Sequence, residues 1–177
     1  NVRVSTIALA GLGTLFVWAL GALCYELMRA DQWLPKPSEE YAKLGKALSE
    51  SPWPWRLAML LAGSLGPGIC EEALFRGYLQ TRLLTSWRTA SAIAVSGSVF
   101  ALYHGDPHHI LGILPLCYWL GYIAARSGSI VPGMFCHAFV NLCGQSSLAF
   151  GVMGSEGSTP WPTYAAGLVG LPAFWVV

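Results

Sequence analysis

Charged side chains are scarce in this chain. Of its 177 residues, 11% are Asp, Glu, Lys or Arg, while 54% are hydrophobic. Soluble domains carry roughly 25% charged residues, so this chain has too few of them to cover its apolar surface in water. It also lacks a basic run or a basic-aromatic patch, which argues against nucleic acid as a partner. The composition predicts a single integral membrane domain over residues 1–177, with membrane lipid as its surroundings.

Cysteine spacings typical of metal or disulfide sites are also absent. The five cysteines lie in apolar stretches and form no CxxC pair, and they are Cys24, Cys70, Cys117, Cys136 and Cys143. We predict reduced, packed thiols rather than a disulfide framework or a zinc site. The alternating ten-residue strands of a membrane barrel are missing as well, so the apolar segments are predicted to be helices.

Long apolar segments make up most of the chain. In lipid the backbone polar groups must bond within their own segment, which requires helices. We therefore predict an all-α polytopic transmembrane helical bundle of about six spans, at 4–25, 56–79, 89–104, 109–126, 130–150 and 162–177. The Lys and Arg residues are nearly balanced between the two sides, so the positive-inside rule gives no orientation.

The longest connection, residues 28–55, is more polar. Within it Tyr41, Leu44 and Leu48 share one face of a predicted helix near 38–50. This pattern is typical of a short amphipathic helix that lies on the membrane surface. A solvated linker helix is an equally good interpretation.

Two carboxylates and a guanidinium follow directly after an apolar run, at Glu71, Glu72 and Arg76. Charged groups at membrane depth cost about 2.5–3.5 kcal/mol each on insertion scales, so they usually have a function. Glu72 and Arg76 are four residues apart and can pair. Glu71 points about 100° away on the helix and is available for chemistry. The alternative interpretation is a purely structural polar cluster.

Two later apolar helices carry further polar groups, each one helical turn from its neighbour. Phe100 precedes His104, and His137 precedes Asn141. A buried imidazole or amide without a hydrogen-bond partner is costly. We therefore expect these side chains to meet the two glutamates inside the bundle.

Taken in order, these motifs resemble those of a known family. The patterns Glu71-Glu72-x-x-x-Arg76, Phe100-x-x-x-His104 and His137-x-x-x-Asn141 are similar to those of the CPBP intramembrane proteases. That family includes the CAAX prenyl endopeptidases and bacterial relatives linked to bacteriocin self-immunity. The stretch EEALFRGYLQ closely matches the first family motif. The resemblance covers roughly residues 57–150, the motif-bearing core.

The resemblance implies a role for each motif residue. Glu71 and His104 would activate a water for attack on a peptide carbonyl. His137 and Asn141 would steady that water or the developing oxyanion. The supporting residues would be Glu72, Arg76 and Phe100.

The resemblance also implies a mechanism without a metal or another cofactor, which is our expectation. Glu71, His104 and His137 nevertheless have the ligand types of a zinc site. No HExxH pair lies on one helix. Zinc at these three residues is therefore kept as the minor alternative.

Two functional hypotheses follow from the residues and the resemblance. The first is an intramembrane endopeptidase that hydrolyses a peptide bond in a membrane-attached substrate, including a lipidated one. The alternative is a non-catalytic accessory or scaffold subunit of a larger membrane protein complex. Because every motif residue is present, the sequence favours the enzyme. An ion or proton carrier is a weaker hypothesis, since the inverted repeats expected of transporters are missing.

Overall fold

The computed structural model describes residues 4–30, 39–150 and 161–174. In these ranges the chain is almost entirely helical and has no strand, which confirms the all-α prediction. A long rod is built from three consecutive parts, namely α3 (Trp53–Glu72), a π-helical segment (Ala73–Gln80) and α4 (Thr81–Leu84). The other helices are α1 (Val4–Ala30), α2 (Glu39–Glu50), α5 (Thr89–Tyr103), α6 (Pro107–Ser127), α7 (Val131–Ala149) and α8 (Trp161–Phe174).

All six predicted apolar segments form helices, and α2 corresponds to the predicted short helix near 38–50. The last three residues of the sixth segment lie outside the described ranges. Within the described ranges, three helices are long and apolar enough to cross a membrane, and they cover Val4–Cys24, Trp53–Leu84 and His109–Ser127. Helix α5 is apolar but shorter. The architecture is that of a membrane helix bundle, while a total of six crossings stays a prediction.

The π-helical segment begins directly after the two glutamates. At its end, the hydroxyl of Thr81 donates to the carbonyl of Arg76, five residues earlier, at 3.0 Å. π-Helical turns are rare and often lie at functional sites. The sequence predicted a helical span over residues 56–79 but not this wider turn.

Helices α5 and α6 pack along the π-helical segment in opposite directions. On α5, Ser96 bonds to Gln80, and Phe100 lies against Arg76 one turn closer to the glutamates. Helix α5 is therefore antiparallel to the rod. Arg76 also bonds to the backbone of α6, and that helix runs back beside α5. The turn between α5 and α6 consequently lies near the level of the glutamates.

Helix α7 packs antiparallel along α3. The amide of Gln145 donates to the carbonyl of Gly63 at 2.7 Å. Closer to the glutamates, a Cβ atom placed on Gly68 would lie 2.9 Å from the Cβ atom of Ala138. Since only glycine lets the two helices approach this closely, Gly68 brings the middle of α7 against α3.

The remaining helices pack around this core. Helix α1 contacts α6, where the indole of Trp119 donates to the hydroxyl of Thr14 at 2.9 Å. Helix α8 packs on α1. Helix α2 joins the bundle through Leu48, which is buried with Leu60 and Ala149. These contacts leave α3, the π-helical segment, α5, α6 and α7 as the elements that position the site.

Candidate active site

The Glu72 carboxylate is buried at the centre of the site. Its side chain is 0% exposed, and one oxygen, Oε1, accepts a hydrogen bond from Arg76 Nη1 at 2.9 Å. The same oxygen lies 3.0 Å from Nδ1 of His137 on α7. Glu72 is thus held by one partner from its own rod and one from α7. The predicted pair between Glu72 and Arg76 is confirmed.

The contact with Glu72 also orients the His137 ring. An ionised carboxylate can only accept hydrogen bonds, so we assign the Nδ1 hydrogen of His137 to this bond. The other ring nitrogen, Nε2, lies 3.7 Å from Oε2 of Glu71. That separation suits a charge interaction but is too long for a direct hydrogen bond. One imidazole therefore lies between the two neighbouring carboxylates.

Glu71 and Glu72 have different surroundings. The Glu71 side chain is 24% exposed, whereas that of Glu72 is completely enclosed. The difference follows from helix geometry, because consecutive residues point about 100° apart. Glu71 can reach a bound molecule, while Glu72 can only act through the side chains around it.

Arg76 connects three helices beneath the carboxylates. Besides its bond to Glu72, it donates through Nη2 to the backbone carbonyl of Cys117 on α6 at 2.8 Å. Its guanidinium carbon lies 4.4 Å from the centre of the Phe100 ring on α5. A cation over an aromatic face is favourable, and more so when it is shielded from water. Arg76 is therefore the residue that ties the rod to both α5 and α6.

His104 lies at the end of α5, on the other side of Phe100. Its Nδ1 atom is 3.0 Å from the carbonyl oxygen of Phe100, one turn earlier. Because a carbonyl only accepts hydrogen bonds, Nδ1 carries the hydrogen, and Nε2 is the free nitrogen of the neutral ring. The Phe100 ring contacts His104 at 5.1 Å and His137 at 5.6 Å between ring centres. Phe100 therefore packs against both imidazoles.

Asn141 lies one turn after His137 on α7 and is half-buried. Among the residues that the structure describes, its side chain has no hydrogen-bond partner. Of the predicted site residues, the structure brings Glu71, Glu72, Arg76 and His137 into direct contact, with Phe100 linking His104 to this group. Asn141 lies on the same helix as His137, and among the described residues its side chain makes no polar contact with this group.

A family model described as type II CAAX prenyl endopeptidase Rce1-like matches residues 53–143, just over half of the chain. The chain belongs to this family. The Rce1-like family is one of CAAX-type membrane proteases. No curated protein and no solved structure matched the chain.

The Rce1-like match contains every motif residue from Glu71 to Asn141. It begins at the start of α3 and ends within α7. Helices α1, α2 and α8 lie outside it. The family assignment therefore covers the five elements that position the site together with α4, and it confirms the family resemblance seen in the motifs.

The cysteines of this Rce1-like protein are all free thiols, as predicted. Cys117 and Cys136 are buried, but Cys70, next to Glu71, is exposed. The prediction of a packed thiol is therefore wrong for Cys70, because this position turns away from the neighbouring helices. Within the described ranges, no group of three His, Cys, Asp or Glu side chains is arranged to hold a metal ion.

Two residues beside this site were not predicted from the sequence. Gln80 is buried, donates to the carbonyl of Gly121 at 2.8 Å and accepts a bond from Ser96. It lies four residues after Arg76, so the helical spacing of the first motif could have identified it. The ring of His109 lies 4.8 Å from that of His104. This contact depends on how the turn between α5 and α6 folds, so the sequence pattern could not predict it.

Proposed function

We propose that this protein is an intramembrane endopeptidase that hydrolyses a peptide bond of a membrane-attached substrate through a water activated by glutamate and histidine. One observation carries the proposal. Of the two adjacent carboxylates on His137, that of Glu71 is partly open and that of Glu72 is closed. A reacting carboxylate must reach the substrate, and a supporting one must be held in place. The two glutamates meet these requirements separately.

In the proposed reaction, Glu71 is the general base. Its carboxylate takes a proton from the water, and the water oxygen attacks the carbonyl carbon of the scissile bond. The free Nε2 atom of His104 accepts a second hydrogen bond from the same water and orients it. The electron pair of the carbonyl moves to its oxygen. When the tetrahedral intermediate collapses, the carbon–nitrogen bond breaks and Glu71 returns the proton to the leaving amine.

The negative oxygen of that intermediate needs hydrogen-bond donors. With Nδ1 of His137 bonded to Glu72, Nε2 is the ring nitrogen that faces the Glu71 side. It donates to the oxyanion when the ring carries a hydrogen on each nitrogen. The Asn141 amide, one turn further along α7, supplies the second donor. Donors fixed in a site shielded from water stabilise developing charge strongly.

The supporting residues fix the positions of the two imidazole rings. Glu72, which is itself bonded to Arg76, holds the His137 ring at its Nδ1 atom, and Phe100 packs against both imidazoles. Preorganised groups of this kind need not move during the reaction. We expect no metal in this mechanism, since the carboxylate itself takes the proton.

The proposed substrate is a membrane-bound peptide or protein, and a prenylated CAAX peptide is the class that the family description suggests. Membrane lipid is the second partner. We further propose that the protein is a multi-pass integral membrane protein. Two observations support this proposal. Within the described ranges three helices could cross a bilayer, and the two glutamates lie on one of them.

The decisive experiment replaces Glu71 by glutamine. The full chain in detergent would be assayed with a farnesylated peptide that ends in a CAAX sequence. Glu71→Gln keeps the shape of the side chain but removes the base, so cleavage should fall by roughly 10²–10⁴-fold. The matched control is Glu50→Gln, the same change at an exposed carboxylate of α2, and it should cleave like the wild type.

Two outcomes would contradict the proposal. Equal cleavage by Glu71→Gln and the wild type would remove Glu71 from the reaction. The folded wild type could also cleave neither this peptide nor any protein in a mixture of membrane-bound proteins. That result would favour the accessory-subunit hypothesis. In that case the protein should co-purify with a larger membrane complex, and Glu71→Gln should leave that association unchanged.

A further inference from the structure

A second buried polar group lies behind the site, between the rod, α5 and α6. It consists of Gln80, Ser96 and the backbone carbonyl of Gly121. The Gln80 amide donates to Gly121 at 2.8 Å, and the Ser96 hydroxyl donates to Gln80 Oε1 at 3.0 Å. Both side chains are almost completely buried. A Cβ atom on Gly121 would lie 2.8 Å from Gln80 Oε1, so the absence of a side chain there makes room for the amide.

This group is in register with the site. Along the rod, Glu72, Arg76 and Gln80 follow one another at intervals of four residues. Arg76 and Gln80 bond to α6 carbonyls that are also four residues apart, each at 2.8 Å. The rod and α6 are thus joined by two equivalent hydrogen bonds, one turn apart. A shift of the rod along α6 would break both.

Helix α5 repeats the same interval. Its residues Ser96, Phe100 and His104 are four apart. Ser96 bonds to Gln80, Phe100 lies against Arg76, and His104 follows one turn later in contact with Phe100. The bond between Ser96 and Gln80 therefore fixes how far α5 extends toward the glutamates. That distance sets where the His104 ring lies.

We propose that Gln80 and Ser96 are positioning residues, which lock the register of the π-helical segment against α5 and α6 and thereby place Glu72, Arg76 and His104. This inference rests on the proposed function. Neither residue touches the reacting groups. A π-helical turn bonds through the i→i+5 pattern and competes with the ordinary α-helical pattern, so a segment of this kind needs outside contacts to hold its register.

The variants can be chosen so that the fold survives. Gln80→Met keeps the length and the unbranched shape of the side chain and removes both hydrogen bonds. Ser96 then still has the carbonyl of Ile93 as an acceptor, at 3.3 Å. Ser96→Ala removes one bond from the other side. The matched control is Ser98→Ala. It removes a hydrogen bond between Ser98 on α5 and Tyr118 on α6, and this bond does not involve the rod.

The first measurement does not depend on catalytic activity. The full chain has four histidines, so ring-nitrogen NMR of the protein labelled with ¹⁵N-histidine in detergent can follow each of them. We expect Gln80→Met to shift the signals of His104 and His137, and Ser98→Ala to leave them in place. Unchanged signals of both rings in Gln80→Met would overturn the inference.

The second measurement is cleavage of the farnesylated CAAX peptide. Misplacement of reacting groups lowers kcat more than it changes KM. We expect kcat to fall by roughly tenfold in Gln80→Met with KM within about twofold of the wild type. A wild type without cleavage would refute the proposed function, and the histidine signals would still decide the register. Normal kcat in Gln80→Met with an active wild type would refute the positioning role alone.

Discussion

At the scale of single residues, two neighbouring identical side chains have different surroundings. Glu72 is enclosed, paired with Arg76 and bonded to His137, whereas Glu71 is partly open. Chemistry alone cannot separate them, since both are glutamates. The direction in which each side chain leaves the helix, and which helix it then meets, makes the difference.

The ion pair inside the bundle predicts a large stability effect. Arg76→Ala leaves the Glu72 carboxylate buried without its cation, which should cost about 3–5 kcal/mol of folding free energy. Thermal unfolding of the detergent-solubilised protein would measure this. The control Arg82→Ala removes an exposed arginine six residues later and should unfold like the wild type. Equal unfolding temperatures for the two variants would show that the buried pair contributes nothing.

The metal question also belongs to single residues. The proposed mechanism uses the Glu71 carboxylate as the base, so cleavage should be unaffected by prolonged treatment with a chelator such as 1,10-phenanthroline. Elemental analysis of the purified protein should find less than one zinc per chain. Stoichiometric zinc, whose removal abolishes cleavage and whose return restores it, would instead assign Glu71, His104 and His137 as ligands.

At the scale of helices, the site depends on close approaches that small residues allow. Helix α7 comes near α3 at Gly68, where the facing residue is Ala138, the neighbour of His137. The π-helical segment then carries Arg76 toward α5 and α6. The position of the imidazole relative to the carboxylates is thus a property of how three helices pack.

This packing can be tested with two glycines on the same helix. Gly68→Ala would place a Cβ atom 2.9 Å from the Ala138 Cβ and 3.0 Å from its backbone nitrogen. The helices must then separate, which should cost about 1–3 kcal/mol and lower the rate of cleavage. Gly66→Ala meets no atom within 4 Å and should raise stability by about 0.5–1 kcal/mol. Unfolding temperatures and cleavage rates of the pair would decide. Equal stability in the two variants would contradict the close approach.

At the scale of the whole molecule, the long rod extends past the site at both ends. It extends over Trp53–Leu84, while α5 covers only Thr89–Tyr103. Because α5 is antiparallel to the end of the rod, its tip reaches the glutamates and goes no further. The turn between α5 and α6 therefore lies beside the site, and α3 and α7 extend past it.

Six crossings predict a simple pattern of exposure on the two sides of the membrane. Ser51 and Gly105 should lie on one side, and Ser86 and Gly128 on the other. Epitope tags inserted at these four loop positions, probed in sealed vesicles before and after permeabilisation, would test this. Detection of Ser86 and Gly128 on opposite sides would show that α6 and α5 do not both cross.

Much of this protein was determined by its sequence. The scarcity of charge required a lipid environment, since too few polar side chains were present to cover the surface. The length of each apolar segment predicted the helices, because their backbone groups must bond internally. The interval from Glu72 to Arg76 predicted the buried ion pair, which depends only on local helix geometry.

Tertiary structure alone decided the rest. The placement of one imidazole between Glu71 and Glu72 depends on the approach of α7 to α3, which involves residues about 65 positions apart in the chain. The bonds of Arg76 and Gln80 to α6 depend on backbone carbonyls, and every residue type carries one. No side-chain pattern marks which carbonyl will be used. Local spacing therefore identified the candidate site residues, and helix packing determined which of them meet.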